Sequence, residues 1–327
     1  MEPRDTPYPQ EMIPALVAVL ALLSPGLVPA DPPETLNQVG GCTVLPADHW
    51  WHADVSALPV HERSADWLSH MSTDRDLHPD FGPSYGDGPG YGIPVTVVGR
   101  SHPRVRVRFG YADESDRVRY PLGDDTRIEG GRRSDGDRHA IVVQRGTCTL
   151  FDTWATQPGR RVWRAGSGAV FDLGGYDLRP DGWTSADAAG LPILPGLLRW
   201  AEVRDDTIDH AIRFTTDETS TWHLWPARHD AGSRESHAWP PMGARFRLSS
   251  TYDASGLSAE AQRVVVAMQT YGLVLADNGS PWFFQGEQSP HWPEQLVEDL
   301  KTIPASAFEA VDTSSLQLDP DSGQVAP

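Results

Sequence analysis

Lysine and asparagine are almost missing from this chain. Lys301 is the single lysine against 26 arginines, and Asn37 and Asn278 are the only asparagines. With 30 glycines and 29 prolines alongside, the skew is compositional, so arginine richness alone carries no functional weight. The same skew singles out Asn278, the one asparagine kept in the body of the chain. Cysteine is scarce too, with Cys42 and Cys148 the only two. No Gly-rich phosphate loop, dinucleotide fingerprint, Gly-x-Ser-x-Gly elbow or His-Glu-x-x-His motif occurs, which leaves nucleotide chemistry, elbow serines and zinc-protease helices without support. Positive charge is in deficit, at a formal net charge of -18. Such a body repels phosphate backbones, so nucleic acid is excluded as a partner. Acidic polymers are not, because one basic cleft can sit on an acidic body.

There is one long apolar run. Residues 13–30 are uncharged and end in Val28-Pro29-Ala30, followed by Asp31-Pro32-Pro33. That is the layout of a secretory signal peptide over residues 1–30, although Arg4 is the only positive charge before the run. As a membrane anchor the run falls short of the ~20 apolar residues a span needs, and Pro14, Pro25 and Pro29 interrupt it. A secreted, extracellular protein without stable membrane insertion is therefore expected. In an oxidising compartment, Cys42 and Cys148 most simply form one disulfide.

After a polar lead-in (31–41), residues 42–313 read as a single β-rich domain and 314–327 as a polar tail. Ser64 is placed to cap a short helix carrying Trp67, Leu68 and Met71 on one face. A Gly/Pro loop fills 78–92. Strands are expected at 93–98, 104–109, 139–143, 147–154, 161–163, 169–173, 210–215, 222–225 and 245–248. The Arg-Val-Arg-Val-Arg-Phe run at 104–109 has period two, with one wet and one dry face. The best helix spans 258–271, capped by Ser258 and stopped by Gly272. A strand at 273–276, an Asn278-Gly279 turn and a returning strand at 282–284 read as a hairpin, and Pro293 opens a last helix. Many short strands with Gly/Pro punctuation predict a mainly β fold, a sandwich or jelly roll with a few short peripheral helices.

Several segments occur together: SADAAGLPILPGL at 185–197, HAIRFT at 210–215, WPARH at 225–229 and LADNGS at 275–280, with GDRH at 136–139 and FEAVD at 308–312. As a set they resemble a family of secreted bacterial proteins, over about residues 42–313. The resemblance implies secretion and one integrated domain, and it brings no catalytic residue with it. The chain has Trp51-His52 where the family pattern has Trp-Asn, which takes His52 out of the candidates.

Three signals point to chemistry. Tryptophan is abundant, at 12 residues, and Trp50, Trp51, Trp239 and Trp282 sit beside loop signals where an indole can stack on a sugar face. Each competes with a plain core role. Carboxylates are the second signal, because glycoside hydrolysis needs one protonated and one ionised carboxyl across a bond. Asp187, at an expected helix start, Asp277, at a strand end, and Glu129 are the candidates. Asn278, Arg213, Arg228 and Trp282 are expected to bind substrate. The competing roles are an N-cap for Asp187 and turn chemistry for Asp277-Asn278-Gly279. Histidines are the third signal: His139, His210 and His229, each beside an arginine, suit a zinc site or the acid/base work of a polysaccharide lyase. The acidic loops 113–116 and 135–137 are candidate calcium ligands.

The leading expectation is a secreted carbohydrate-active enzyme, a glycosidase cutting a polysaccharide with catalytic Asp187, Asp277, His210 and His229. Hydrolysis by carboxylates requires no cofactor, while calcium or zinc fits the alternatives. Those alternatives are a lyase or metal-dependent enzyme, and a non-catalytic glycan-binding or cell-surface module. Asp187, His210, Arg228, His229, Asp277 and Asn278 are expected to share one cleft. The leader makes a direct prediction. Protein exported by a bacterial host should begin near Asp31, and amino-terminal sequencing that finds Met1 on exported material contradicts it.

Overall fold

Fifteen short strands build the molecule in the computed structural model, which describes residues 37–84 and 90–326. The expected leader and the start of the lead-in lie outside the described residues. The strands are β1 (Gln38–Val39), β2 (Cys42–Thr43), β3 (His78–Asp80), β4 (Val95–Val98), β5 (Val105–Phe109), β6 (Arg119–Tyr120), β7 (Ala140–Gln144) and β8 (Thr149–Trp154). They continue with β9 (Val162–Ala165), β10 (Ser167–Asp172), β11 (Ile212–Thr216), β12 (Arg245–Leu248), β13 (Leu273–Asn278), β14 (Phe283–Gln285) and β15 (Phe308–Val311). Helices are few and short: α1 (Ser64–Ser69), α2 (Trp200–Asp205), α3 (Ala259–Thr270) and α4 (Glu294–Leu300). The described residues belong to one compact unit, and none of its helices is long and apolar enough to cross a membrane.

Besides the β1-β2 ribbon there are three sheets, ordered β15-β12-β13-β11-β14-β3, β10-β8-β7-β4 and β6-β5-β9. Pairing is mixed, since β11 with β13, β14 with β3, β4 with β7 and β5 with β9 run parallel. The β7 sequence Ala-Ile-Val-Val-Gln is buried throughout, as a strand covered on both faces must be. Ile141 and Val143 join Leu150, Leu194 and Leu197 on one side. Ala140 and Val142 meet Phe151, Tyr120 and Trp163 on the other. The dry face of β5 (Val105, Val107, Phe109) packs onto that second layer. The period-two reading of 104–109 thus holds, and its arginines face water.

The largest core surrounds the six-stranded sheet, where Phe214, Phe246, Trp282 and Phe284 meet Val264 and Met268 of α3. Ser258 caps α3 by accepting from the Ala261 N–H, and Gly272, at φ 73°, ends it. Five local expectations change. The expected 78–92 loop opens with β3, which pairs with β14 at the edge of the six-stranded sheet. The 222–225 segment makes only an isolated bridge, His223 to Met242. Ser64 does not cap α1, because its hydroxyl accepts from the Ala310 N–H of β15 at 2.9 Å. Strands β13 and β14 are not a hairpin, because β11 lies between them, so Asn278-Gly279 is a crossover exit. The polar tail folds back: the Gly323 carbonyl accepts from the Trp50 N–H at 2.8 Å, and Val325 is buried in the main core.

Cys42 and Cys148 are disulfide-bonded with Cα atoms 5.3 Å apart, which ties β2 to the turn between β7 and β8. The bridge spans 106 residues, and a loop of that length corresponds to roughly 4 to 5 kcal/mol in the chain-entropy view. Reduction, or Cys42→Ser with Cys148→Ser, should lower the thermal midpoint by about 5 °C or more. An unchanged midpoint in calorimetry would show that packing alone holds this edge.

Candidate functional site: a carboxylate cleft over a buried arginine

The site begins with a register shift. Arg213 on β11 lies opposite Val274 on β13, and Phe214 opposite Leu275, but Thr215 lies opposite Asp277. The skipped residue, Ala276, is a bulge. In regular pairing Asp277 would oppose Thr216 and point to the face away from Arg213, because side chains alternate. The extra residue turns Asp277 onto the face of Arg213, as bulges beside sites do.

Arg213 is buried, with a side chain 1 % exposed, and its Nη2 lies 3.5 Å from Asp187 Oδ2 and 3.6 Å from Asp277 Oδ2. Its Nε and Nη1 have no protein partner. The two carboxylates therefore straddle one nitrogen. Their nearest oxygens are no farther apart than those two contacts end to end.

The carboxyls differ in access. Asp187 has no exposed side-chain surface, whereas Asp277 retains 25 %. Asp187 Oδ1 accepts from the Leu191 N–H at 3.0 Å and the Ser185 hydroxyl at 3.1 Å. It braces the 184–191 loop and heads no helix, which corrects the expected helix start. Burial pushes Asp187 up to about 6 against the pull of Arg213, and the nearby Asp277 adds to the rise. Burial also raises Asp277, again opposed by Arg213.

Above these groups is a cleft of about 290 Å³ lined by Tyr111, Glu114, Asp137, Trp154, Asp187, His229, Asp277 and Asn278, among others. A second concavity of about 320 Å³ shares Asp137, Asp277 and Asn278 and continues past Asp80, His139 and Gln285. Tyr111 and Trp154 present rings 6.3 Å apart, and the Trp154 indole donates to Asp137 at 3.3 Å. The His229 Nδ1 faces the Ala188 carbonyl at 2.8 Å, so Nε2 is left toward Glu114, 3.7 Å away. Beneath the second concavity, His139 Nδ1 lies 2.7 Å from Glu129 and its Nε2 3.2 Å from the Ala186 carbonyl. Burial works against the His139 cation, but Glu129 outweighs it and lifts His139 to about 9.

Of the expected cleft residues, Asp187, His229, Asp277 and Asn278 come together. His210 does not line the cleft: its Nδ1 faces the Ala211 carbonyl and its Nε2 lies 3.2 Å from buried Glu202. Arg228 turns to the chain end, where it donates to Pro320 and Asp321. Trp282 is fully buried and donates to the Met71 carbonyl, so it packs the core and faces no substrate. Trp50 and Trp51 are likewise buried.

The amide of Asn278 is already committed. It accepts from Thr219 at 2.8 Å and donates to Ala231 at 2.9 Å, clamping the loop that carries His229. The histidines do not form a metal set, because His139 and His210 both spend their ring nitrogens on carboxylates and carbonyls. Among the described residues no group of three or more metal-ligating side chains occurs. In the acidic loops, Asp116 is held by Arg179 at 2.6 Å, while Glu114 and Asp137 line the cleft. Tyr111, Trp154, Asp137 and Asp80 were not legible as one site, since they come from four separate segments. The period-two exit of β8 could have marked Trp154.

The buried cluster has a definite pH signature. A carboxyl whose folded pKa is raised contributes stability that is full below its unfolded value near 4 and is lost as pH climbs through the folded value. For Asp187 that window closes at about 6. Replacing Arg213 by Met leaves Asp187 and Asp277 without their cation, a change that costs about 3 to 5 kcal/mol for a broken buried pair. Urea denaturation should show a larger deficit at about pH 8 than at about pH 5, where Asp187 holds its proton. An equal deficit at both would mean that Arg213 acts by packing alone.

No protein-family model matches this chain, and no curated protein or solved structure matches it either, so the cleft geometry carries the functional reading.

Proposed function

We propose that the chain is a secreted carbohydrate-active enzyme that hydrolyses a polysaccharide by carboxylate acid/base catalysis, with Asp277 as the proton donor. One observation carries the reading: Asp277 is the raised, partly exposed carboxyl at the wall shared by both concavities. A general acid needs a raised pKa together with access to the leaving group, and burial raises Asp277 while a quarter of its side chain stays exposed. Asp137, exposed and shared by the same two concavities, is the second carboxyl. Tyr111 and Trp154 offer ring faces to the apolar side of a sugar. Asp187 and Arg213 are positioning residues that hold Asp277 from below. The leader pattern and the disulfide support secretion, and a sandwich-type packing of the β-layers belongs to the same reading.

Elimination is the second reading. His229 favours it, because a carbonyl on Nδ1 leaves Nε2 as a base facing the cleft. The two are separated by product. Hydrolysis releases reducing ends alone, elimination adds an unsaturated sugar with near-ultraviolet absorbance, and a binding module yields neither.

Asp277→Asn should keep the thermal midpoint within a few degrees and lower kcat/KM on a cleaved polysaccharide by about 10² to 10⁴. Wild-type turnover should fall as pH rises through the raised pKa of Asp277, and the variant should lack that alkaline limb. Full activity in Asp277→Asn would remove the proposed acid.

A further inference from the structure

The wet face of the β6-β5-β9 sheet carries an arginine cluster that the cleft chemistry does not use. Arg106 of β5 lies directly opposite Arg119 of β6, and Arg108 of β5 opposite Arg164 of β9. Alternation puts Arg106 and Arg108 on one face, and cross-strand partners share it. All four are exposed, while Val105, Val107 and Phe109 between them point to the core. Like charges placed opposite each other across a sheet are destabilising. Elsewhere on the surface this protein pairs arginines with acids, as in Arg204 with Asp205 and Arg234 with Glu218. The chain has 45 acidic residues from which to supply partners. Yet Arg106, Arg108, Arg119 and Arg164 have no ion pair among the described residues.

The cluster is also shaped. Arg106, Arg108, Arg117 and Arg119 line an open groove of about 600 Å³ with Ala112 and Val118. The groove adjoins the cleft, because one loop after β5 supplies Tyr111 and Glu114 to the cleft and Ala112 and Arg117 to the groove.

We infer that this groove binds a linear anionic polysaccharide through Arg106, Arg108 and Arg119, with Arg164 extending the same face of the sheet beyond it. Charge complementarity is the argument. The planar guanidinium fork matches carboxylate or sulfate oxygens in pairs, and an extended polyanion can meet several arginines at once and relieve their mutual repulsion. The strongly acidic remainder of the molecule repels the most densely charged polymers most, so the one carboxylate per sugar of a polyuronate suits the groove best. The inference concerns binding, so it stands apart from the acid/base assignment.

The test uses the full mature chain, titrated calorimetrically with polygalacturonate, dextran sulfate, neutral dextran and duplex DNA. The variants are Arg106→Gln with Arg108→Gln, and Asp277→Asn. Binding of polygalacturonate or dextran sulfate is expected, and the two arms tell carboxylate from sulfate recognition. Affinity should weaken about tenfold or more between low and physiological salt, as counterion release requires. The double arginine variant should bind roughly tenfold more weakly, with an unchanged thermal midpoint, while Asp277→Asn binds as wild type. Loss of binding in Asp277→Asn alone would place the polymer in the cleft and overturn the groove. So would absence of binding to both anionic polymers, equal binding of neutral dextran, or equal affinity in the double variant. Duplex DNA bound as tightly through the same arginines would make this a nucleic-acid face instead.

Discussion

One buried guanidinium organises the centre of this molecule. Arg213 is enclosed on β11, and a charge taken out of water is tolerated only with partners. Asp187 reaches it from the 184–191 loop and Asp277 from the bulged end of β13. Around this trio lie the His139–Glu129 pair, Asp152 and Asp80, which act on one another and on Arg213 electrostatically. Two cations face five carboxyls in a poorly solvated region, so some carboxyls must hold protons. Burial accordingly lifts Asp152 to about 7 and Asp80 and Asp187 to about 6. Glu129 goes the other way: burial alone would raise it, and the His139 cation more than offsets that. Asp277 is raised by burial against the pull of Arg213, and it is the member of the cluster that keeps exposed surface at the cleft.

The strand arrangement makes this possible. The centre of the six-stranded sheet, β13 beside β11, is buried along nearly its whole length, which gives the rigid platform a site needs. The bulge sits near the end of β13, where Asp277 reaches the cleft. Asn278 extends the platform by clamping the loop of His229. Its value lies in positioning a neighbour, a different role from contact with a ligand. The second apolar layer, shared by β5, β7 and β8, does similar service on the other side: it anchors the dry face of β5 and leaves the arginines of the wet face in register.

Much of the element content was legible in the chain itself, because local physics decides it. Period-two alternation at 104–109, the Ser258 cap and Gly272 stop of α3, and the pairing of the only two cysteines all follow from residue type and spacing. Asp277 and His229 were legible as candidates because reactive residues at strand ends and loops stand out from apolar surroundings. Trp282 was misplaced because a tryptophan beside a turn signal reads the same whether its ring points in or out.

What only the tertiary structure decided depends on contacts between distant segments. No local signal says that β11 inserts between β13 and β14, so the Asn278-Gly279 hairpin was the natural reading of a sequence whose strands lie elsewhere. The bulge that turns Asp277 toward Arg213 depends on pairing across some sixty residues, and period-two reasoning within one strand cannot detect it. Burial likewise sets the protonation of Asp187 and Asp152, and burial belongs to the assembled core. The sequence by itself determined a β-rich chain with one disulfide and a set of reactive side chains. The fold decided which of them share a cleft, because long-range pairing and desolvation are properties of the packed whole.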